Sequence, residues 1–519
     1  MKKILYIYLL AQFVLLNNLQ AQNNNIINFG VPGSYTGSTD GYIDNQGNII
    51  AIFNTDLGVA IGSFNAHYTA NWTKFIAPWS TTIDKIFSLS NGDFVACIVQ
   101  ENSVGSHILK FDSQGNIHWH KKIQGPPAAN LHKILELNGN KIALIGINAT
   151  NSLYTVFDFN GNLEHSKAIS SPTNPIVIPR EILDTQDGNH LVASQLVGNG
   201  TPKILLSKLT PTGTVVWEKT HNFPYTVTFN SGVRSNDGNI YLVGNYNSSL
   251  IPGDLNSRDL LILKFSENGD FLLGKTYGNQ YEEDGYDIQE AEDGSLVVIG
   301  MLKPVQNCSG NLLVVNVDSN LDTLYTKTYG TLVGEGAFFY RLHNNGSEFY
   351  SFGNGSLWTN IGTIGDAHLV RTDKHFELDC YKFNSGLDNI GTINSTLITT
   401  DALHTVSTPN FINYSQNTAT SFTVADGCNG TILSLDEQLK KTKKINLFPV
   451  PAEDVVNILA RNTLFEYIEI YDLTGKLVLK NQLNATDYST VEIHLLNSGI
   501  YIAKIGCKDG IYSERIIKR

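Results

Sequence analysis

The sequence is short of charge. Only 16% of its 519 residues are Asp, Glu, Lys or Arg. Glu/Lys pairs at helical spacing are almost missing, so long surface helices are not expected. Net charge is −12 and no basic patch interrupts it, which excludes a nucleic-acid partner on electrostatic grounds. The five cysteines, Cys97, Cys308, Cys380, Cys428 and Cys507, are odd in number and none forms CxxC, so a zinc site is not expected. No HExxH, nucleophile elbow or phosphate loop appears. His118 and His120 share one side of a strand in "HWHKK", but no third ligand accompanies them. No cofactor or metal is expected.

Apolar runs are also scarce. The exception is "ILYIYLLAQFVLL" near the N-terminus, preceded by Lys2 and Lys3 and followed by "LQAQ". It is short for a membrane span and reads as a secretory signal over residues 1–21, cleaved at Ala21. The mature chain is then exported, with no transmembrane segment. Export permits disulfides; Cys380 and Cys428 flank the end of the repeat region, as a staple or as two buried thiols.

Glycine, asparagine, serine and threonine are plentiful, as suits short strands and tight turns. A turn signal recurs as "NQGN", "SNGD", "LNGN", "QDGN", "NDGN", "EDGS" and "NNGS", with glycines at 47, 92, 139, 188, 238, 294 and 346. An apolar strand follows each. A second turn follows in "ILKFDSQGNIHWHKKI", "ILLSKLTPTGTVVWEKTH" and "LILKFSENGDFLLGKTYG"; later copies lose its glycine but keep the spacing. Two hairpins per unit of about fifty residues make four strands, the sign of a propeller blade. The fold class is therefore all-β: a propeller of about seven four-stranded blades over 22–385, then a small β-sandwich. Trp72, Trp119 and Trp217 recur at one repeat position and read as packing between blades. The repeats resemble the propellers of exported bacterial proteins and, more loosely, quinoprotein repeats; no cofactor is implied.

Both glycine turns of a blade lie on one face. The connections opposite vary in length, and variable loops on a rigid scaffold are where binding sites form. "YEEDGYD" is the densest run of charge and is expected in a loop there. Arg258, from the long connection 245–259, and Glu282, Glu283 and Asp284 of this run are the candidate ligand-binding residues, bordering one groove; a solvated acidic loop is the plain alternative. No catalytic residues are singled out.

Residues 386–443 lose the repeat and read as a linker or as a segment that closes the propeller. Beyond them, "NLFPVPAEDVVNI" opens a run of strands. Pro449, Pro451 and Ala452, then Asp472, Gly475 and Lys476, then Leu496, Gly499 and Tyr501, and the basic end Lys518 and Arg519, carry a resemblance. Residues 444–519 resemble the type A C-terminal sorting domain of the type IX secretion system, with Val450 where that family has Asn. The resemblance implies passage across the outer membrane, by way of that machinery, to the cell surface or beyond. The leading reading is a non-catalytic exported propeller that binds a glycan or a surface protein through its variable-loop face. The alternatives are a polysaccharide hydrolase or lyase and a purely structural surface protein.

Overall fold

A computed structural model describes residues 26–30, most of 36–378, short strands between 382 and 432, and most of 445–519. Ala21, Cys380, Cys428, Pro449, Pro451 and Gly475 lie outside the described residues. The chain divides into two compact units, Met1–Leu435 and Asp436–Arg519.

The first unit is a seven-bladed propeller. The inner strands of its blades are Thr36–Ile43, Thr81–Ser88, Ala129–Leu137, Ile176–Asp184, Thr226–Arg234, Glu282–Glu290 and Ala337–Asn344. Each opens an antiparallel meander running outward in chain order. Consecutive inner strands pack on one another, and the last packs on the first, closing the ring. The seventh blade takes its fourth strand from the other end of the chain: Ile26–Gly30 pairs with Asp366–Thr372.

The turn glycines work as the repeat implies. Gly238 has a φ of 81°, its counterparts from Gly47 to Gly294 lie between 78° and 84° and Gly346 at 103°, and the Gly238 amide donates to Ser235 O at 2.9 Å. In the three copies without the second glycine, Tyr68, Leu321 and Phe376 hold φ of 63°, 62° and 50°. Such a conformation costs a non-glycine residue about 1–2 kcal/mol, offset here by burial of all three side chains.

Middle strands are apolar throughout because sheets cover both of their faces. Asn311–Val317 is buried along its whole length. The tryptophans bridge blades. Trp72 packs on Gly115 of the next blade, Trp119 on Gly161 and Trp217 on Gly269. The indole nitrogens of Trp72 and Trp119 donate to Ser113 O at 2.8 Å and Phe159 O at 2.9 Å.

The propeller does not stop at residue 385. The chain reverses and lays a further strand on the outer edge of one blade after another: Lys382–Phe383 on the sixth, Asn389–Thr392 on the fifth, Thr396–Ile398 on the fourth, Leu403–Val406 on the third and Asn410–Asn413 on the second. Thr423–Asp426 then pairs with Ile26–Gly30 in the seventh blade. Covering outer strands hides backbone groups that would otherwise template association.

The second unit has a three-stranded and a four-stranded antiparallel sheet. Val456, Ile458, Ile468, Ile470, Val491, Ala503, Ile505 and Ile516 form its core.

Candidate functional site

The acidic run is not a loop. Glu282, Glu283, Asp284 and Asp287 stand on the inner strand of the sixth blade, all buried. Charged side chains persist on a buried strand only if partners meet them. Arg258, at the start of the fifth blade's third strand, supplies one. Its Nη1 lies 2.7 Å from Glu282 Oε1 and 2.9 Å from Asp284 Oδ2. Lys303 approaches Glu282 at 3.4 Å, and the Asn245 amide donates to Asp284. The sequence-chosen residues thus come together, but as a clamp between two blades in which the guanidinium stands where a bound cation would. Only Arg258 and Lys303, at 30% and 25% side-chain exposure, reach solvent appreciably.

Glu283 faces different surroundings. It is fully buried. Burial, then the neighbouring Asp259 carboxylate, push its pKa up to about 9; burial raises Asp259 to about 6. Glu283 is therefore held as the neutral acid at neutral pH.

A second constellation, missed in the sequence, lies on the axis. Six inner strands carry a β-bulge near the middle of the strand, and the residues that follow, with the matching position of the second blade, form a ring: Asp40, Lys85, Lys133, Glu181, Ser231, Asp287 and Arg341. A bulge re-aims the next side chain. The acids act as stitches. Asp40 accepts the Ile86 amide of the next blade at 3.1 Å, Glu181 the Gly232 amide at 2.9 Å and Asp287 the Leu342 amide at 3.0 Å. Each also accepts the amide of its own following residue, Gly41, Ile182 or Ile288. Lys133 pairs with Glu181 at 2.5 Å, and the Ser231 hydroxyl sits 3.0 Å from Glu181 and 2.5 Å from Asp287. Burial opposes ionisation of Asp287, but the Arg341 and Lys133 charges outweigh it and lower its pKa. Asp40 is lowered likewise, its burial outweighed by the His343 hydrogen bond and nearby cations. The signal for this ring was a polar residue five to seven positions before the turn glycine, seven for Asp40 and Gly47 or Asp287 and Gly294, six for Lys133 and Gly139, five for Arg341 and Gly346.

His118 and His120 do not form a metal pair. His120 is buried against His107, with their nitrogens 3.0 Å apart, while the half-exposed His118 lies 3.5 Å from Asp93. Among the described residues no group of three or more His, Cys, Asp or Glu is arranged to hold a metal ion.

In the second unit, Ala452 is buried and pairs with the C-terminal strand: its amide donates to Ile517 O at 2.8 Å, and Arg519 N donates back to Ala452 O. Asp472 Oδ1 accepts the Lys476 amide at 3.0 Å, closing a turn. Gly499 opens the strand Gly499–Cys507, in which Tyr501 donates to Asn497 O at 2.8 Å.

Residues 446–519 match the family described as "Secretion system C-terminal sorting domain". This is the type IX sorting domain, and it indicates export across the outer membrane to the cell surface or extracellular space. Among curated proteins, none matches the chain. Among solved structures, the chain is similar to the extracellular domain of what is called a hybrid two component system from B. thetaiotaomicron, at 13% identity and TM-score 0.40, covering 94% of this chain and 58% of that one. It is also similar to a puromycin-hydrolyzing peptidase of Mycobacterium tuberculosis, at 12% identity and TM-score 0.44, covering 68% and 53%. A third is Kuenenia stuttgartiensis hydrazine synthase, at 10% identity and TM-score 0.43, covering 60% and 92%. The chain thus spans little more than half of the first two. Likeness at this level carries nothing about function.

Proposed function

We propose that the propeller is a non-catalytic binding module that takes a glycan or a surface protein on the face opposite its glycine turns. One observation carries this reading: the connections on that face are unequal, and their longest members gather on adjacent blades. Ten residues, 248–257, join the middle strands of the fifth blade; seven, 304–310, those of the sixth; ten, 356–365, those of the seventh. Two residues suffice in the third, 149–150. Turns on the other face hold to three to five residues throughout. Loop variation on a fixed ring is how a scaffold acquires a binding surface, and polar groups held rigidly there lose little entropy on binding.

Arg258 and Lys303 stand at the rim of this sector and offer hydrogen-bond donors to solvent, steadied from beneath by Glu282 and Asp284. That chemistry suits sugar hydroxyls, sugar acids or an acidic protein surface. A hydrolase would need paired carboxyls open to substrate, whereas Glu283, the acid beside Asp259, is fully buried. The test is a glycan array and a surface-protein pull-down with the mature full chain, repeated with Arg258→Gln and Lys303→Met. Loss of the captured ligand in the variants supports the reading. A ligand bound equally by wild type and both variants rejects this sector as the site.

A further inference from the structure

The charged ring on the axis has unequal accounts of donors and acceptors. Its three acids are spent: each accepts two backbone amides, and each has a further partner in His343, Lys133 or Ser231. Lys133 is spent on Glu181 and Ser231. The other two cations are not. Arg341 comes no closer than 3.7 Å to Asp287 and 3.9 Å to Asp40, beyond hydrogen-bond reach. Its Nε is buried with no hydrogen-bond partner. Among the described residues, no hydrogen bond or ion pair holds the half-buried Lys85 either, which feels the charges of Arg341, Asp40, Lys133 and Asp287.

A buried donor left unmade, as Arg341 Nε is, costs about 1–3 kcal/mol, so this guanidinium, with the unpaired charge of Lys85 acting on it, calls for an acceptor from outside the chain. The neighbouring acids cannot turn to meet them without releasing the amides that stitch the blades. We propose that the propeller axis holds a small oxyanion between the Arg341 guanidinium and the Lys85 ammonium. The planar guanidinium presents two parallel N–H groups to two oxygens, and the lysine closes the third side. Lys133 adds charge without contact. The site is distinct from the Arg258 rim and does not rest on the reading given to it.

Sulfate is a suitable probe because its charge is constant over the working range. Calorimetric titration of sulfate into the mature full chain at pH 6 should show saturable binding. Lys85→Met should weaken it at least tenfold while leaving the melting temperature in sulfate-free buffer unchanged or higher, since no bond is lost. Arg341→Lys should weaken it similarly; if that variant fails to fold, Lys85→Met decides alone. Burial, then the Arg341 charge, lower the Lys85 pKa to about 7, with Lys133 acting alongside and Asp40 and Asp287 against. Binding should therefore be weaker at pH 8.5 than at pH 6. No saturable heat from the wild type at pH 6, or equal affinity in Lys85→Met, overturns the site.

Discussion

The indole of Trp119, in the second blade, lies flat against Gly161 in the third, so close that a methyl group on the glycine would meet the ring at 2.8 Å. The contact joins a large aromatic surface to a turn residue whose φ of 81° favours glycine and whose Cβ position the ring occupies. Trp119→Ala should destabilise the propeller by about 3 kcal/mol, at the low end for aromatic truncations because the ring is only half-buried. Gly161→Ala should also destabilise, through strain and the clash together. Urea unfolding measures both; an unchanged midpoint in either variant would mean the blades do not depend on this contact.

Asp287 offers a sharper test of the axial stitches. Its carboxylate holds the Leu342 amide and the Ser231 hydroxyl and balances Arg341. Asp287→Ala leaves all three unmet and should cost about 3–5 kcal/mol, the range for breaking a buried ionic group. Asp287→Asn keeps an acceptor and should cost less. Equal loss in both variants would show that charge, rather than the amide bond, is what the position supplies.

Glu283 sets a pH dependence of stability. Its pKa rises from the ordinary carboxyl range to about 9 on folding, so between about pH 4.5 and 9 the folded chain holds a proton that the unfolded chain has released. Its contribution to stability therefore falls as pH rises through that window. Glu283→Gln should melt higher than wild type at pH 8 and match it at pH 4. A variant that melts lower at pH 8 would show that the carboxylate is ionised and held.

Sorting can be tested without reference to the propeller. Deleting residues 444–519 should leave the chain in the periplasm, because the family match that indicates export is confined to 446–519. Cell fractionation reads this directly, and normal surface or extracellular delivery of the truncated chain would contradict it.

Much of this architecture was legible. Turn glycines at regular steps mark seven blades because glycine alone adopts the required φ cheaply, and the motif residues after Pro449 mark the sorting domain. The acidic strand was not. "EEDGYDIQE" lacks the apolar alternation of a buried strand, because its acids are met by Arg258, Ser231 and Arg341 from other blades, partners that local pattern cannot show. The axial ring hid for the same reason: one polar residue per blade has meaning only when seven converge. The outer strands between 389 and 432 are only two to four residues long, so none gives a run long enough to read as a strand.

That outer belt has a mechanical meaning. The strand Ile26–Gly30 is gripped on both sides, by Asp366–Thr372 and by Thr423–Asp426, so the belt's last strands lock the clasp that closes the ring. A pull on the chain at residue 436 would load those strands first and peel them rung by rung, each rung worth only about 1 kcal/mol. Tension would then travel back around the circumference, from the seventh blade to the second and on to the sixth, paying out roughly 3.4 Å of slack per residue. The four-stranded blades would stay folded meanwhile. The belt is thus a fuse and a tether in series, yielding in small steps before the ring itself is strained.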